Sequence, residues 1–388
     1  MSFLNRRVRH TFLETCAAVA TGSLRVRTPD GAVHDFGPGH GGQPAAELQI
    51  NDWAMVTACA LRGDVGLGES YVEGQWDTPS VEALGQVALL NLPLLSGFGF
   101  GSAFQRLKFR LTDRVLRANS RRGASRNIQA HYDVGNEFYQ LWLDPGMTYS
   151  SALFAADDDD LGRAQDRKYD RILSRLEPGE QLLEIGCGWG GFAERAADQG
   201  RRVTALTLSR NQRAYADARL DGRADVTLRD YRDAVGLYDN IVSIEMVEAV
   251  GERYWPSYFN TIKARLGHGG RAVLQAITVD DTHMATYRRK SDFIRQHVFP
   301  GGMLLCNADI AAQAQQAGLQ VHDSFAFGQD YARTCRIWGK RMQDQHRKIA
   351  GLGYGTAFSR SWHYYLEMSA AAFAVGQTDV VQVELRHA

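Results

Sequence analysis

From Gln181 to Phe192 the chain reads QLLEIGCGWGGF: apolar residues around Glu184, then Gly186, Gly188, Gly190 and Gly191. Glycines behind a short apolar run let the backbone approach a ligand that a Cβ would keep away. A helix opening directly after them offers unpaired N–H groups to the ligand's polar atoms. The pattern is that of a nucleotide-binding strand, turn and helix start. A dinucleotide site places an acidic residue about 20 positions further on, against the ribose. Here the next apolar run, RVTALTL over 202–208, ends in Thr207, Leu208 and Ser209. A nicotinamide cofactor is therefore disfavoured, and a tight turn without a ligand is the alternative that one glycine motif leaves open.

The chain around this turn alternates helix and strand. The spacing predicts a helix over 161–176 closed by Pro178-Gly179, a strand over 181–186, a helix over 189–199 and a strand over 203–208. Ser209 then caps a helix running to Leu220. Further strands are expected at 226–228, 240–245 and 271–277, with a helix at 254–266. Such alternation makes a doubly wound parallel sheet of the α/β class, and ligands of these sheets lie beyond the carboxyl ends of the strands. Those ends carry Glu184, Thr207, Asp230-Tyr231, residues 245–248 and residues 275–277, which form the candidate site. The acidic tract 157–160 is expected to be a solvated loop. Before Leu84 the signals are those of a small α+β unit. SLRVR (23–27) alternates, Pro29-Asp30-Gly31 turns the chain and 33–36 returns. The aromatic and acidic cluster ESYVEGQW (69–76) reads as packing in preference to a cavity wall.

At 388 residues two structural units are the natural expectation. Lys+Arg 44 against Asp+Glu 44 leaves no overall charge to draw a partner, and no nucleic acid is expected. Locally, residues 106–126 hold eight basic residues and one acid, Asp113. They follow an uncharged stretch, 85–104, long enough to span a bilayer but interrupted by Pro93, Gln86, Asn91 and glycines. An apolar segment followed by arginines is suited to an anionic membrane surface; a buried helix followed by a solvated one is the other reading. The five cysteines lack metal spacing and fit reduced thiols in a cytoplasm. The opening MSFLNRRVRH has no signal-peptide core, so export is not expected.

Seven segments carry a family resemblance. HYDVGNEFYQLWLDPGMTYSSALF (131–154), LEIGCGWGG, LTLSRNQ (206–212), DYRD (230–233), SIEMVEAVG (243–251), FPGG (299–302) and FGQDYART (327–334) resemble, in order and spacing, the cyclopropane fatty acid synthases and related mycolic acid methyltransferases. The match runs from about Asn127 to the C-terminus. The segment before Leu84 is similar, on weaker motifs, to the amino-terminal domain of the bacterial phospholipid enzymes. The resemblance implies a Rossmann-like class I methyltransferase domain at 127–388, an α+β lipid-associated domain at 1–84 and a membrane-contacting linker at 85–126. It implies S-adenosylmethionine (SAM) as cofactor, no metal, and the cis double bond of unsaturated acyl chains in membrane phospholipids as methyl acceptor. The enzyme would be cytoplasmic and peripheral to a phospholipid surface, and a homodimer is compatible with it. By motif position Tyr149 and Ser150 would lie near the methionine end of SAM, with Gly186 and Gly188 beneath it and Glu184 beside them. Thr207 and Gln212 would contact the ribose, and Tyr231 with Arg232 the adenine region.

An alkene is a weak nucleophile, so the site must align it with the sulfonium methyl and exclude water. Transfer leaves a cation on the chain, and a base must then remove a proton. In the family a bound bicarbonate is taken as that base, and the motifs assign its holders here to Glu248, Tyr331 and the backbone at Ser151 and Ile277. The chain departs from the family pattern at three places. Ser151 stands where the synthases have Cys, and Gln275 stands where they have His. An amide donates a hydrogen bond but cannot become a cation or relay a proton. Glu245 stands where Gly is usual. Its carboxylate either takes part of the anion's role or turns away to a helix N-terminus or an Arg. Loss of the proton from the added methyl closes a cyclopropane, whereas loss from a neighbouring carbon leaves a methyl-branched alkene. Against this reading stand a small polar methyl acceptor, a NAD-dependent oxidoreductase, and an inactive SAM- or lipid-binding regulatory protein of the same fold.

Overall fold

The computed structural model describes residues 3–39, 41–95, 134–156 and 160–388. These form two compact units. One holds the described residues up to 95 together with Ala285–Val298 and Cys335–Gln377; the other holds those from 134 to Met284 with Phe299–Thr334 and Thr378–Ala388. The division is therefore not the linear one expected at residues 84 and 126. Two later segments complete the first unit.

In the first unit the hairpin read from the sequence forms, with β1 (Ser23–Arg27) antiparallel to β2 (Val33–Phe36). With β3 (Ala45–Ile50) and β4 (Trp76–Asp77) these make a sheet of order β2-β1-β3-β4. The ESYVEGQW segment packs. Tyr71 and Trp76 are buried with ring centroids 4.8 Å apart, and the Trp76 indole donates to the Leu67 carbonyl and Ser70 Oγ. Residues 85–90, assigned above to a linker, instead finish the helix Val81–Leu90, whose side chains Val81, Leu84 and Val87 are buried. Gly85 is required there because a Cβ would stand 2.9 Å from that of Ala371 on helix Thr356–Ala374. Residues 91–95 follow as turns, and the rest of the expected linker, 96–126, lies outside the described residues. Among the described residues no helix is long and apolar enough to cross a membrane.

The second unit is built on a seven-stranded sheet of order β10-β11-β9-β8-β5-β6-β7. Five strands are parallel: β5 (Gln181–Ile185), β6 (Arg202–Thr207), β7 (Ala224–Leu228), β8 (Tyr238–Ile244) and β9 (Leu266–Val279). All were expected, with β9 longer than predicted. Two strands were not: β10 (Leu319–Ala326) and β11 (Thr378–His387) run antiparallel, and β11 inserts between β10 and β9. The fold is the expected α/β Rossmann-like one, extended by an antiparallel edge. Helix Leu161–Ser174 starts at Asp160, whose side chain accepts the N–H groups of Gly162 and Arg163. Asp160 is exposed and lies just outside the helix, as expected of a solvated loop, and it also caps the helix; residues 157–159 lie outside the described set. Ser209 caps helix Arg210–Leu220 as expected. The apolar faces of helices Leu161–Ser174, Gly191–Asp198 and Arg210–Leu220 close on β5, β6 and β8 through Ile172, Phe192, Leu182, Val203 and Val242. This core fixes where the carboxyl ends of the strands emerge.

Candidate active site

Behind β5 the glycine turn carries positive φ at Gly186 (+86°), Gly188 (+52°) and Gly190 (+83°). Gly190 lies against Ala216 and Gly186 against Met246, so each is needed for packing as well as for its φ. Gly188 is different. A Cβ there would meet no protein atom within 4 Å, so the turn leaves a cradle that a side chain would fill. Beside it Glu184 is 2 % exposed and its Oε2 has no hydrogen-bond partner. Burial pushes this carboxyl up to about 8, against the opposing pull of Lys168 and Arg219. An orphaned buried acceptor next to a glycine cradle suits a ligand ammonium group, such as that of a methionine moiety.

At the end of β6, Thr207 Oγ1 donates to Gln212 Oε1 (2.9 Å), and the Ser209 N–H donates to Thr207 Oγ1 (3.1 Å). With its oxygen engaged, Gln212 keeps its NH2 for another acceptor, which suits ribose hydroxyls. Arg232 grips Asp230 through Nε (2.8 Å) and Nη2 (2.5 Å) and lies 5.5 Å from the ring centroids of Tyr231 and Tyr254. Its charge is balanced, so the group offers a flat π-faced surface to a base.

The loop before the site is tied by Asp144, whose carboxylate accepts the N–H groups of Gly146 (2.7 Å) and Thr148 (3.0 Å). The Tyr149 ring packs on Tyr139 and Trp142. Gln165 Nε2 donates to the Ser150 carbonyl (2.9 Å), and Lys168 Nζ donates to Ser150 Oγ (2.7 Å). These bonds hold the next residue, Ser151, with its N–H aimed at Glu245.

The Glu245 carboxylate receives three donors. Oε1 accepts from Ser151 N–H (2.8 Å) and Gln275 Nε2 (2.7 Å), and Oε2 accepts from the Tyr331 hydroxyl (2.6 Å). It turns neither to a helix N-terminus nor to an Arg. Glu245 holds this position at φ +49°, a left-handed conformation that costs a non-glycine residue about 1 kcal/mol or more and persists only where surroundings over-determine it. Glycine at this position would carry no such cost; here the three donors offset it. Glu248, in the next turn, accepts from the Ile277 N–H through Oε1 (2.5 Å), and its Oε2 is buried without a partner. The Met303 N–H, just past FPGG, donates to the Glu248 carbonyl (2.8 Å) and fixes that turn.

Burial is the largest influence on both carboxyls, and it raises both. For Glu245 it is opposed by Tyr331, Ser151, Gln275 and, through space, Lys168. Glu248 has only backbone partners and the repulsion of Glu245 beside it, and is pushed up to about 8. Burial thus raises both adjacent carboxyls, while the three donors that converge on Glu245, and not on Glu248, favour the charged form of Glu245. Lys168, fully buried, is pushed down to about 7, with Glu245 the strongest of the opposing carboxylates.

All fifteen residues singled out in the sequence fall in the second unit. Ser151, Glu245, Gln275 and Tyr331 are bonded to one another, as are Glu248 to Ile277 and Thr207 to Gln212. Sequence reasoning missed Lys168, Arg171 and Gln382. For Lys168 a signal existed, since it shares the buried face of its helix with Leu161, Gln165 and Ile172.

The family model described as mycolic acid cyclopropane synthetase matches residues 119–383. Tuberculostearic acid methyltransferase UfaA1 of Mycobacterium tuberculosis is 35 % identical over 349 residues, 85 % of this chain and 80 % of that one. The cyclopropane-fatty-acyl-phospholipid synthase of Escherichia coli is 31 % identical over 348 residues, 88 % of each chain. Among solved structures, mycolic acid cyclopropane synthase CmaA1 complexed with SAH and CTAB aligns at TM-score 0.63 and 30 % identity, over 67 % of this chain and 97 % of that one. With its SAM-type glycine turn and buried carboxylate site, the chain belongs to the mycolic acid cyclopropane synthetase family and is a SAM-dependent methyltransferase.

Proposed function

We propose that this enzyme methylates the double bond of unsaturated acyl chains using Glu245 as a built-in base, and that its main product is a methyl-branched unsaturated chain. The coarser activity, SAM-dependent methylation or cyclopropanation of unsaturated fatty acyl chains, comes with the family and its members. The single observation that carries the finer reading is the Glu245 carboxylate at the meeting point of Ser151 N–H, Gln275 Nε2 and Tyr331 Oη. Two of those groups, Ser151 and Tyr331, are ones the family resemblance assigns to a bound bicarbonate, and the third replaces its His. A tethered carboxylate then stands in for the free anion.

Gly186, Gly188, Tyr149, Ser150, Glu184, Thr207, Gln212, Tyr231 and Arg232 would hold SAM, which would supply an electrophilic methyl group. Methylation of one alkene carbon leaves its neighbour short of an electron pair. Glu245 takes a proton from the adjoining chain carbon, and the C–H electron pair becomes the new double bond beside the methyl-bearing carbon. Neutral Glu248 adds no second negative charge to the site, and the Tyr331 and Gln275 donors keep Glu245 ionised until it accepts the proton. The base is fixed by the backbone at the end of β8, so the proton it reaches is set by the fold.

The acyl chain is proposed to be presented in a phospholipid. The basic run 106–126 supports a peripheral anionic-membrane contact, and a relative similar over 88 % of the chain is named for acyl-phospholipids. The test is incubation of the purified enzyme with SAM and vesicles of unsaturated phosphatidylglycerol, followed by proton NMR of the extracted fatty acids. Vinylic and methyl-branch signals are expected. Ring protons alone, far upfield, would overturn the branched-product reading, and conversion of free fatty acid but not vesicles would overturn the phospholipid one.

A further inference from the structure

Gln275 has a partner on its other side. On the neighbouring strand β11, Gln382 is directly opposite Gln275 in register, and both are about 1 % exposed. Gln382 Nε2 donates to Gln275 Oε1 (3.0 Å), and Arg171 Nη1, from helix Leu161–Ser174, donates to Gln382 Oε1 (2.6 Å). The chain of bonds is Arg171 to Gln382 to Gln275 to Glu245.

Its direction is forced. A guanidinium has donors only, so the atom of Gln382 facing Arg171 is the oxygen. The NH2 of Gln382 then faces Gln275, whose oxygen must receive it, and the NH2 of Gln275 is left for Glu245. Rotated the other way, the Gln275 oxygen would meet a carboxylate oxygen lone pair to lone pair at 2.7 Å, a buried contact with no donor between. An amide by itself has no preference between these orientations.

We infer that Gln382 and Arg171 are positioning residues, which lock the Gln275 amide so that its NH2 edge holds the Glu245 carboxylate. The inference rests on Glu245 being the working carboxylate of the proposed function, but its geometry does not. The ionisable groups facing Glu245 are Glu248 in the adjoining turn, Lys168 from helix Leu161–Ser174 and Tyr331 from helix Gly328–Asp344. At the outer end Arg171 is surrounded by Arg175, Glu384 and Asp323 and covers the Phe325 ring. None of these outer groups contacts Glu245, so the amide pair is the connection between them.

The experiment reads Glu245 ionisation in the cofactor-free protein, by infrared difference spectroscopy of the protonated carboxyl band with the Glu245→Gln variant as blank. Gln382→Glu places acceptors where Gln275 needs a donor, so the amide turns and offers its oxygen to Glu245. The titration midpoint of Glu245 should rise by about one pH unit or more. Gln382→Leu removes the lock without reversing it and should shift the midpoint less. Arg171→Met, at a partly exposed position, removes the donor that sets the direction and should also raise it, so it keeps the test decisive if Gln382→Glu does not fold. Melting temperatures falling alike in both Gln382 variants while the midpoint stays at the wild-type value would mean ordinary packing, and the inference fails. If the midpoint moves but turnover does not depend on Glu245, the positioning role stands and the proposed base does not. If turnover depends on Glu245 but the midpoint is insensitive to all three variants, the base stands and the positioning role falls.

Discussion

The Tyr331 hydroxyl donates to Glu245 Oε2 at 2.6 Å across 86 residues of sequence. A bond this short from a phenol to a carboxylate is of the charge-assisted kind, and it commits the tyrosine to Glu245. In a site built around a free anion, that hydroxyl would belong to the anion.

The first expectation follows from this substitution of side chain for ion. Glu245→Gly removes the carboxylate, relieves the positive φ and leaves the Ser151, Gln275 and Tyr331 donors aimed at one place. Turnover should fall about 100- to 1,000-fold, the usual cost of one preorganised catalytic group, and added bicarbonate should restore part of it while leaving wild type unaffected. Equal bicarbonate response in wild type and variant would show that Glu245 does not occupy the anion's position.

Product identity is the second. Gln275→His combined with Glu245→Gly rebuilds the family's usual residues at both strand ends, so proton loss should move toward the added methyl. Ring and branched products each exceed the substrate by one CH2, so mass alone does not separate them. Proton NMR does, and a rise in the upfield ring signals relative to wild type is the expected outcome. An unchanged product ratio in an active double variant would dissociate product choice from these two positions.

Much of this was legible in the sequence because it is local. The glycine turn, Ser209 as a cap and the alternating strands each depend on a few adjacent residues. β10 escaped notice because its residues are exposed on both faces after Leu319, leaving no alternation to read. β11 was missed because DVVQVEL is buried on both faces, a pattern that does not distinguish strand from core helix. The departures at 245 and 275 were visible, but their meaning was not. Whether Glu245 faced the site depended on its φ and on donors 94, 30 and 86 residues away. Gln382 had no local signal, since its function lies in the strand opposite. The first unit's late segments, Ala285–Val298 and Cys335–Gln377, are likewise joined to it only by tertiary packing.

Cofactor binding gives the third expectation. Gly188 has free space over its Cα and φ +52°, so Gly188→Val would fill the cradle and strain the turn. Calorimetry should detect no SAM binding, whereas Glu248→Gln, which alters a carboxyl proposed to serve the base and not the cofactor, should bind within about threefold of wild type, roughly 0.7 kcal/mol. Tight binding by Gly188→Val would remove the turn from the cofactor site.

The last concerns pH. Glu248 is raised by burial, and by Glu245 next to it, from 4.5 to about 8. The folded protein therefore keeps this proton over a range where the unfolded chain has released it. Its contribution is complete below the ordinary carboxyl range and is lost as pH rises through about 8, at most about 1.4 kcal/mol for each pH unit inside that window. Glu184 acts in the same direction. Lys168, lowered from 10.5 to about 7, acts oppositely above neutrality, because there the folded state releases a proton the unfolded state keeps. Glu248→Gln removes one group and leaves the others, so urea unfolding of the cofactor-free variant and wild type at about pH 5 and about pH 9 isolates it. The variant should gain on wild type as pH rises. A stability difference independent of pH would mean that Glu248 is ionised in the folded protein.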